Sequence, residues 1–334
     1  MKGFIFAILL AIISVACLSP KEKVQRPTLL KTESATKDQL LAEINRLAQI
    51  NSMRARVDLK FEDNSFAEVG IGEKYRSADG EIVVQRPANI LLKVQLPILK
   101  TDIAQMTSNG TKFCVAILND GGSGKYRKFI CGTNDKDYSP LQDQLQQLEN
   151  DKTELLKMNA FANLRPQHFT EAILMRPISD ENIYIQSEIF QEEFDLKADK
   201  KSPLRWVLRG YYLLDELEKA SDGRLRISRR FWFDRVGGIR LARQQLFDQQ
   251  GEMEADIIYG KEGNFPGGYT NVPLRIEIIR PKEKYKMSLS YQDPSGISIG
   301  RTYPKTAFEL SNHWNLPEID LDKKLTEVKL KQKR

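Results

Sequence analysis

Histidine is nearly missing from this 334-residue chain. There are two, His168 and His313. Neither stands in an HExxH spacing, so no helix offers two imidazoles on one face to a metal. His168 neighbours Phe169 and reads as a structural residue, and His313 neighbours Trp314. No Gly-x-Ser-x-Gly occurs, which removes the sharp turn that exposes a nucleophilic serine. Gly121-Gly122-Ser123-Gly124-Lys125 lacks the spacing and the following Ser or Thr of a phosphate loop; a hairpin turn explains it better. Carboxylates are many but scattered. The expectation is a protein with no catalytic residues, no metal and no cofactor. Long apolar runs are missing too. The longest, Phe4–Val15, is far short of the roughly 20 residues a membrane-spanning helix needs. Charge of one sign is not in large excess: 51 Lys and Arg face 45 Asp and Glu, a net of +6. That gives no footprint for nucleic acid.

The N-terminus carries three zones in the order of an export signal. Lys2 supplies the positive start, Phe4–Val15 the apolar stretch, and Ser14-Val15-Ala16 the small residues before Cys17. The segment resembles a bacterial lipobox, although Ser14 stands where leucine is commoner. The resemblance implies a signal peptide over residues 1–16, cut before Cys17, and lipid attachment to the Cys17 thiol. One acyl chain holds a protein only marginally, at about 0.8 kcal/mol per buried methylene, so two or three chains make a stable anchor. An aspartate after such a cysteine favours retention at the inner membrane. Leu18 stands there instead, and the expected location is the periplasmic face of the outer membrane. Residues 17–35 then read as a lipidated tether, rich in Lys, Pro and Thr and without a sustained period.

Export assigns the other two cysteines to an oxidising compartment. Cys114 and Cys131 lie in strand-like runs joined by Asn119-Asp120-Gly121-Gly122-Ser123-Gly124, a strong turn signal. A hairpin symmetric about residues 122 and 123 puts Cys114 opposite Cys131. Opposed residues on antiparallel strands have Cα atoms about 4.5–5.5 Å apart, within disulfide reach. The bridge would add about 3 kcal/mol by restricting the unfolded chain.

Helical and strand periods alternate along the rest. Thr36-Lys37-Asp38-Gln39 reads as a capping box, followed by Leu40, Leu41, Ile44 and Leu47 at helical spacing. Met53, Ala55, Val57, Leu59 and Phe61 then alternate with charged residues, the mark of a half-buried strand. Short strands and tight turns continue to Cys131, with a turn at Ser108-Asn109-Gly110. A helical insert is expected near 139–175, including short helices at 153–159 and 166–174. A second β region starts near Asn182, with turns at Gly237-Gly238 and Gln250-Gly251. Alternation groups candidate lining residues on common faces: Ala55, Val57 and Leu59; Ile90, Leu92, Val94 and Leu96; Trp206, Leu208, Tyr212 and Leu214; Phe231 and Phe233. The lysine-rich end, residues 322–334, reads as a solvated or frayed tail.

This order of parts resembles the LolA/LolB lipoprotein-carrier superfamily. Gln85-Arg86-Pro87-Ala88-Asn89-Ile90 is similar to its basic-Arg-Pro strand entry, and Asn109-Gly110-Thr111-Lys112 to its short hairpin. Phe231-Trp232-Phe233-Asp234 with Gly238, then Phe247-Asp248 with Gly251, resemble its paired late hairpins. Val272–Ile278 and Pro304–Leu310 resemble a late strand and the closing segment of the family. The resemblance implies an α+β fold: an unclosed antiparallel β-barrel of about eleven strands with a helical lid, spanning 36–321. It implies lipid or lipoprotein acyl chains in an apolar cleft, and Arg86 hydrogen-bonded to the lid. Related folds also occur in envelope regulators, so a module that binds a protein partner is the alternative expectation. Alkylation of the folded, non-reduced protein should find neither Cys114 nor Cys131 as a free thiol; labelling of either would refute the pairing.

Overall fold

The computed structural model describes residues 26–63, 73–74, 78–96, 101–119, 124, 127–136, 138, 140–141, 167–195, 198–220, 222–282 and 284–332. The signal peptide, Cys17 and the helix expected at 153–159 lie outside them.

Helix α1 (Lys37–Leu47) starts as its sequence demands. The Thr36 N–H donates to Gln39 Oε1 at 2.9 Å, and the Gln39 N–H donates to Thr36 Oγ1 at 3.3 Å. This reciprocal cap satisfies two otherwise unpaired donors. Leu40, Ile44 and Leu47 form its buried stripe. The chain then enters β2 (Ser52–Asp63), whose Ala55, Val57 and Leu59 are buried while Arg54, Arg56, Asp58 and Lys60 are exposed.

A long meander follows. Its first half is β3 (Glu73–Lys74), β4 (Ala78–Gln85), β5 (Asn89–Gln95), β6 (Asp102–Asn109), β7 (Lys112–Ile117) and β8 (Phe129–Thr133). At the β6–β7 tip Gly110 has φ 89°, and Asn109 Oδ1 accepts from the N–H groups of Thr111 and Lys112 at 3.1 and 2.9 Å. Cys114 and Cys131 are register partners and form a disulfide, with Cα atoms 4.2 Å apart. Helix α2 (Gln167–Ile173) is the described part of the insert. The second half is β9 (Ile183–Phe194), β10 (Trp206–Lys219), β11 (Leu225–Asp234), β12 (Arg240–Phe247), β13 (Met253–Phe265), β14 (Tyr269–Arg280) and β15 (Tyr285–Tyr291).

The halves join through β15, which pairs antiparallel with β2 from Tyr285↔Asp63 to Tyr291↔Val57. One sheet therefore runs β9-β10-β11-β12-β13-β14-β15-β2-β4-β5-β6-β7-β8. Among the described residues β9 pairs only with β10, so the curled sheet stays open. Register shifts at Val94/Gln95, Glu216/Leu217, Trp232/Phe233 and Leu246/Phe247 bend the strands. The inner face packs with α1 and α2 into one apolar cluster that draws on both halves, from Val57, Ile82 and Ile90 to Phe231, Phe233 and Ile278.

Three expectations need correction. Among the described residues the sheet has seventeen strand segments, not about eleven. The surplus includes three short pieces without apolar alternation: β1 (Thr28–Leu29), β16 (Ser298–Ile299) and β17 (Glu318–Asp320). Two of these pair in parallel, β1 with β10 and β17 with β8. The tether expected over 17–35 is in part bound to the sheet. Beyond β1, the Leu30 N–H donates to Leu208 O at 3.1 Å and the Glu33 N–H to Arg235 O at 2.8 Å. Finally, the lysine-rich end is not a frayed tail. It forms α3 (Leu321–Gln332), which buries Leu321, Leu325 and Val328. These three lie at i, i+4 and i+7, a single helical face that the intervening lysines obscure. Asp322 fastens its start, with Oδ2 accepting from Thr133 Oγ1 at 2.6 Å and Oδ1 from the Tyr138 hydroxyl. Leu325→Ala should cost about 2–5 kcal/mol in denaturant unfolding and speed amide exchange throughout α3. No change in either would return residues 322–334 to a loose tail.

Candidate functional site

The residue that organises the hollow is buried and charged. Along β11, residues 229, 231 and 233 alternate onto the inner face, so Arg229 lines up with Phe231 and Phe233. Its cross-strand neighbour on β10 is Glu216, and their side chains are 2% and 1% exposed. Arg229 Nε donates to Glu216 Oε2 at 3.0 Å. The same carboxylate accepts from Asn182 Nδ2 at 3.0 Å, the Tyr184 hydroxyl at 2.9 Å and Ser228 Oγ at 3.1 Å. Taking two charges out of water is tolerated only when they are paired and their remaining lone pairs are bonded, and Glu216 meets that condition. Burial raises the Tyr184 pKa above the ordinary phenol value, and the neighbouring Glu216 charge adds to the rise.

Arg229 has donors left over, and these grip the chain where it leaves α2. Nη1 donates to Arg176 O at 2.8 Å and Nη2 to Pro177 O at 3.0 Å. Arg86 reaches the same segment from the other half of the sheet. Its Nη2 donates to Met175 O and to Ala48 O, the latter at 3.2 Å. Ala48 is the C-cap of α1, so Arg86 ties the ends of both helices together. The planar guanidinium suits this, with five donors in a fixed fork. Burial lowers the Arg86 pKa from its ordinary value, and the positive charge of Arg229 lowers it further. Two more bonds complete the hold: Asn45 Oδ1 accepts from the Ile178 N–H at 3.1 Å, and the Tyr259 hydroxyl donates to Ala172 O at 3.2 Å.

Apolar side chains from both halves of the sheet pack beneath. A cavity of about 30 Å³ remains, lined by residues that include Leu47, Met53, Ala172, Met175, Tyr259 and Ile276. Next to it, with Leu47, Tyr259 and Pro273 as shared walls, a groove of about 480 Å³ opens outward past Glu43, Arg240, Gly260 and Lys261. Helix α1 flanks this opening. Arg46 Nη1 donates to Thr270 O at 2.7 Å, fixing the helix to β14.

Of the residues singled out by alternation, Ala55, Val57, Leu59, Ile90, Leu92, Val94, Tyr212, Leu214, Phe231 and Phe233 are brought together in the inner cluster. Leu96 is half-buried. Trp206 and Leu208 are half-buried and lie outside that cluster. Alternation puts them on the same side as Tyr212, but β11 pairs with β10 only from Tyr211 onward. Past that point the neighbour of β10 is β1. Sequence reasoning missed Arg229 and Glu216. The signal was there, since two opposite charges sat in phase with apolar inner-face residues on adjacent strands. Among the described residues no group of three or more His, Cys, Asp or Glu could hold a metal ion. No described helix is long and apolar enough to cross a membrane.

No family model matches the sequence, and no curated protein matches it. Solved structures to which the chain is similar include a LolA superfamily protein from Nitrosomonas europaea. It is 11% identical, with a TM-score of 0.40, over 83% of this chain and 99% of that one. A DUF1329 family protein from Desulfovibrio piger is 11% identical, with a TM-score of 0.41, over 83% and 96%. A domain described as outer membrane lipoprotein-sorting, from Vibrio parahaemolyticus, is 9% identical, with a TM-score of 0.37, over 81% and 95%. Likeness at this level carries no functional argument. The fold, an open antiparallel sheet curled around two helices, rests on the geometry above.

Arg229→Met should cost about 3–5 kcal/mol, because Glu216 loses its buried partner. In Arg229→Met/Glu216→Gln the loss should fall short of the sum of the two single changes by about 0.5–3 kcal/mol. Denaturant titration of the four proteins measures this, and strict additivity would rule out the coupling.

Proposed function

We propose that this protein is a binding protein that holds lipid, or the acyl chains of a lipoprotein, in the hollow of its open sheet. In this reading the chain is lipidated at Cys17 and anchored at the periplasmic face of the outer membrane, where it takes part in lipid or lipoprotein transfer. The observation that carries the proposal is the way the α2 segment is held. An apolar hollow is covered by a short helix whose exit is fastened by hydrogen bonds from Arg86, Arg229 and Asn45 to main-chain groups. Such bonds are individually weak, each with a net contribution of about 0.5–1.5 kcal/mol, more where a charged group donates. An acyl chain enters when the segment lifts. The groove beside Tyr259 and Pro273 gives the chain its way in.

The anchor sets the working distance. Because Thr28–Leu29 and the residues after them bind the sheet, only about ten residues separate Cys17 from the folded body. Fully extended they span at most about 35 Å. The protein therefore works as a receptor beside one membrane rather than as a free shuttle.

Exposed apolar residues favour a second reading, an envelope module that binds a protein. Ile183, Ile185, Phe190 and Phe194 on the edge strand β9 are 46–62% exposed, and such edges pair readily with a partner strand. Mass spectrometry of organic extracts separates the two. The purified Cys17→Ser chain, free of covalent lipid, should carry non-covalent lipid, and Arg86→Leu should raise hydrophobic-dye uptake and amide exchange at residues 174–178. A lipid-free chain with dye uptake and exchange unaltered by Arg86→Leu would defeat the carrier reading.

A further inference from the structure

A second cavity lies on the opposite, outer face of the sheet. Strand β15 leaves β2 at Tyr291↔Val57, and β16 rejoins it at Ser298↔Arg54. Between them the chain loops away through a short turn, Pro294–Gly296. A pocket of about 440 Å³ opens beside β2 at this place, with Arg54, Arg56, Glu81, Asp293, Ser298 and Arg301 among its walls. Arg54 and Arg56 share the outer face because they are two residues apart on one strand.

The charges in this pocket do not cancel. Arg54 Nε is bonded to Glu81 Oε1 at 2.5 Å. The Asp293 carboxylate is taken up by its own turn, accepting from Ser295 Oγ at 2.6 Å and the Ser295 N–H at 3.1 Å. The hydrogen bond from the Ser295 side chain holds the Asp293 carboxyl below its ordinary range, and the Arg56 charge adds to this. Asp58 and Asp79, further along the face, accept from Gln292 Nε2 at 2.7 and 3.0 Å. Arg56 acts on Asp293 through its charge alone, and among the described residues neither the Arg56 nor the Arg301 guanidinium makes a hydrogen bond or a close salt bridge, so three arginines face two carboxylates. Two open guanidinium forks and the Ser298 hydroxyl in one concave site match the oxygens of a phosphate.

We propose that this outer pocket binds a phosphate-bearing anion, held by Arg56 and Arg301 with Ser298 as a further donor. The inference does not depend on the acyl-chain reading, since the site lies on the other face of β2. The phosphate could belong to a lipid headgroup or be free in solution, and both arms can be run on the detergent-solubilised full chain. Calorimetric titration with inorganic phosphate at low salt should show saturable binding, weakened about tenfold or more in Arg56→Gln/Arg301→Gln. Arg275→Gln, exposed on another strand, should leave it unchanged. Both pocket arginines are exposed, so the melting temperature of the double variant should hold; if it drops, the single variants give the same reading, each with a several-fold loss. Titration with dihexanoylphosphatidylglycerol below its micelle concentration identifies the source. Roughly tenfold tighter binding than inorganic phosphate means a lipid headgroup, and equal or weaker binding means free phosphate. Absence of saturable phosphate binding, or binding unaltered in the arginine variants, would overturn the proposal.

Discussion

Main-chain carbonyls at the end of a helix must find donors, and inside an apolar hollow water cannot supply them. Here the chain that leaves α2 carries the carbonyls of Met175, a buried residue, and of Arg176 and Pro177 at the exposed rim, and two arginines from opposite halves of the sheet provide their donors. Much else follows from this need. Arg229 can be buried only because Glu216 neutralises it. Glu216 in turn takes Asn182, Tyr184 and Ser228 as donors, which fixes the first residues of β9 against β10. Arg86 extends the connection to the end of α1. The hollow is thus held by a polar frame set within an apolar lining.

An open sheet of this length has two problems: a concave face that must be covered, and edges that must be managed. Helices cover the face. The edges are treated unequally. Beside β8 the chain adds β17 in parallel and then docks α3, with Asp322 bonded to Thr133 and Tyr138. The Cys114–Cys131 bridge ties the same edge to β7. Strand β9 instead keeps exposed apolar side chains and, among the described residues, pairs on one side only. The outer face shows the same economy of use, since it carries the charged alternation of β2 and, where the 292–297 loop swings clear, the arginine pocket.

Local periodicity made much of this fold legible. The capping box at Thr36, the alternation through Met53–Phe61, the turn at Asn109-Gly110 and the symmetric cysteine hairpin all depend on residues close in sequence. Their physics is local: a side chain capping its own helix, or a strand with one wet and one dry face. The same alternation grouped most of the inner residues correctly. It failed for Trp206 and Leu208 because alternation reports the side of a strand, not what covers it. Arg86 was found by likeness to a strand-entry motif, while Arg229 passed unseen among the many arginines.

By itself, the amino-acid sequence determined the strands and helices with a clear apolar period, which cysteines face each other and which side chains share a face. Only the tertiary structure decided that Thr28–Leu29 and Glu318–Asp320 would join the sheet in parallel, that the lysine-rich end would dock as a helix, and that Arg229 and Arg86 would meet at one chain segment. Such contacts join residues tens to hundreds of positions apart. Their stability comes from satisfying polar groups and burying area once the sheet has curled, and no local pattern records where a curled sheet brings its distant strands.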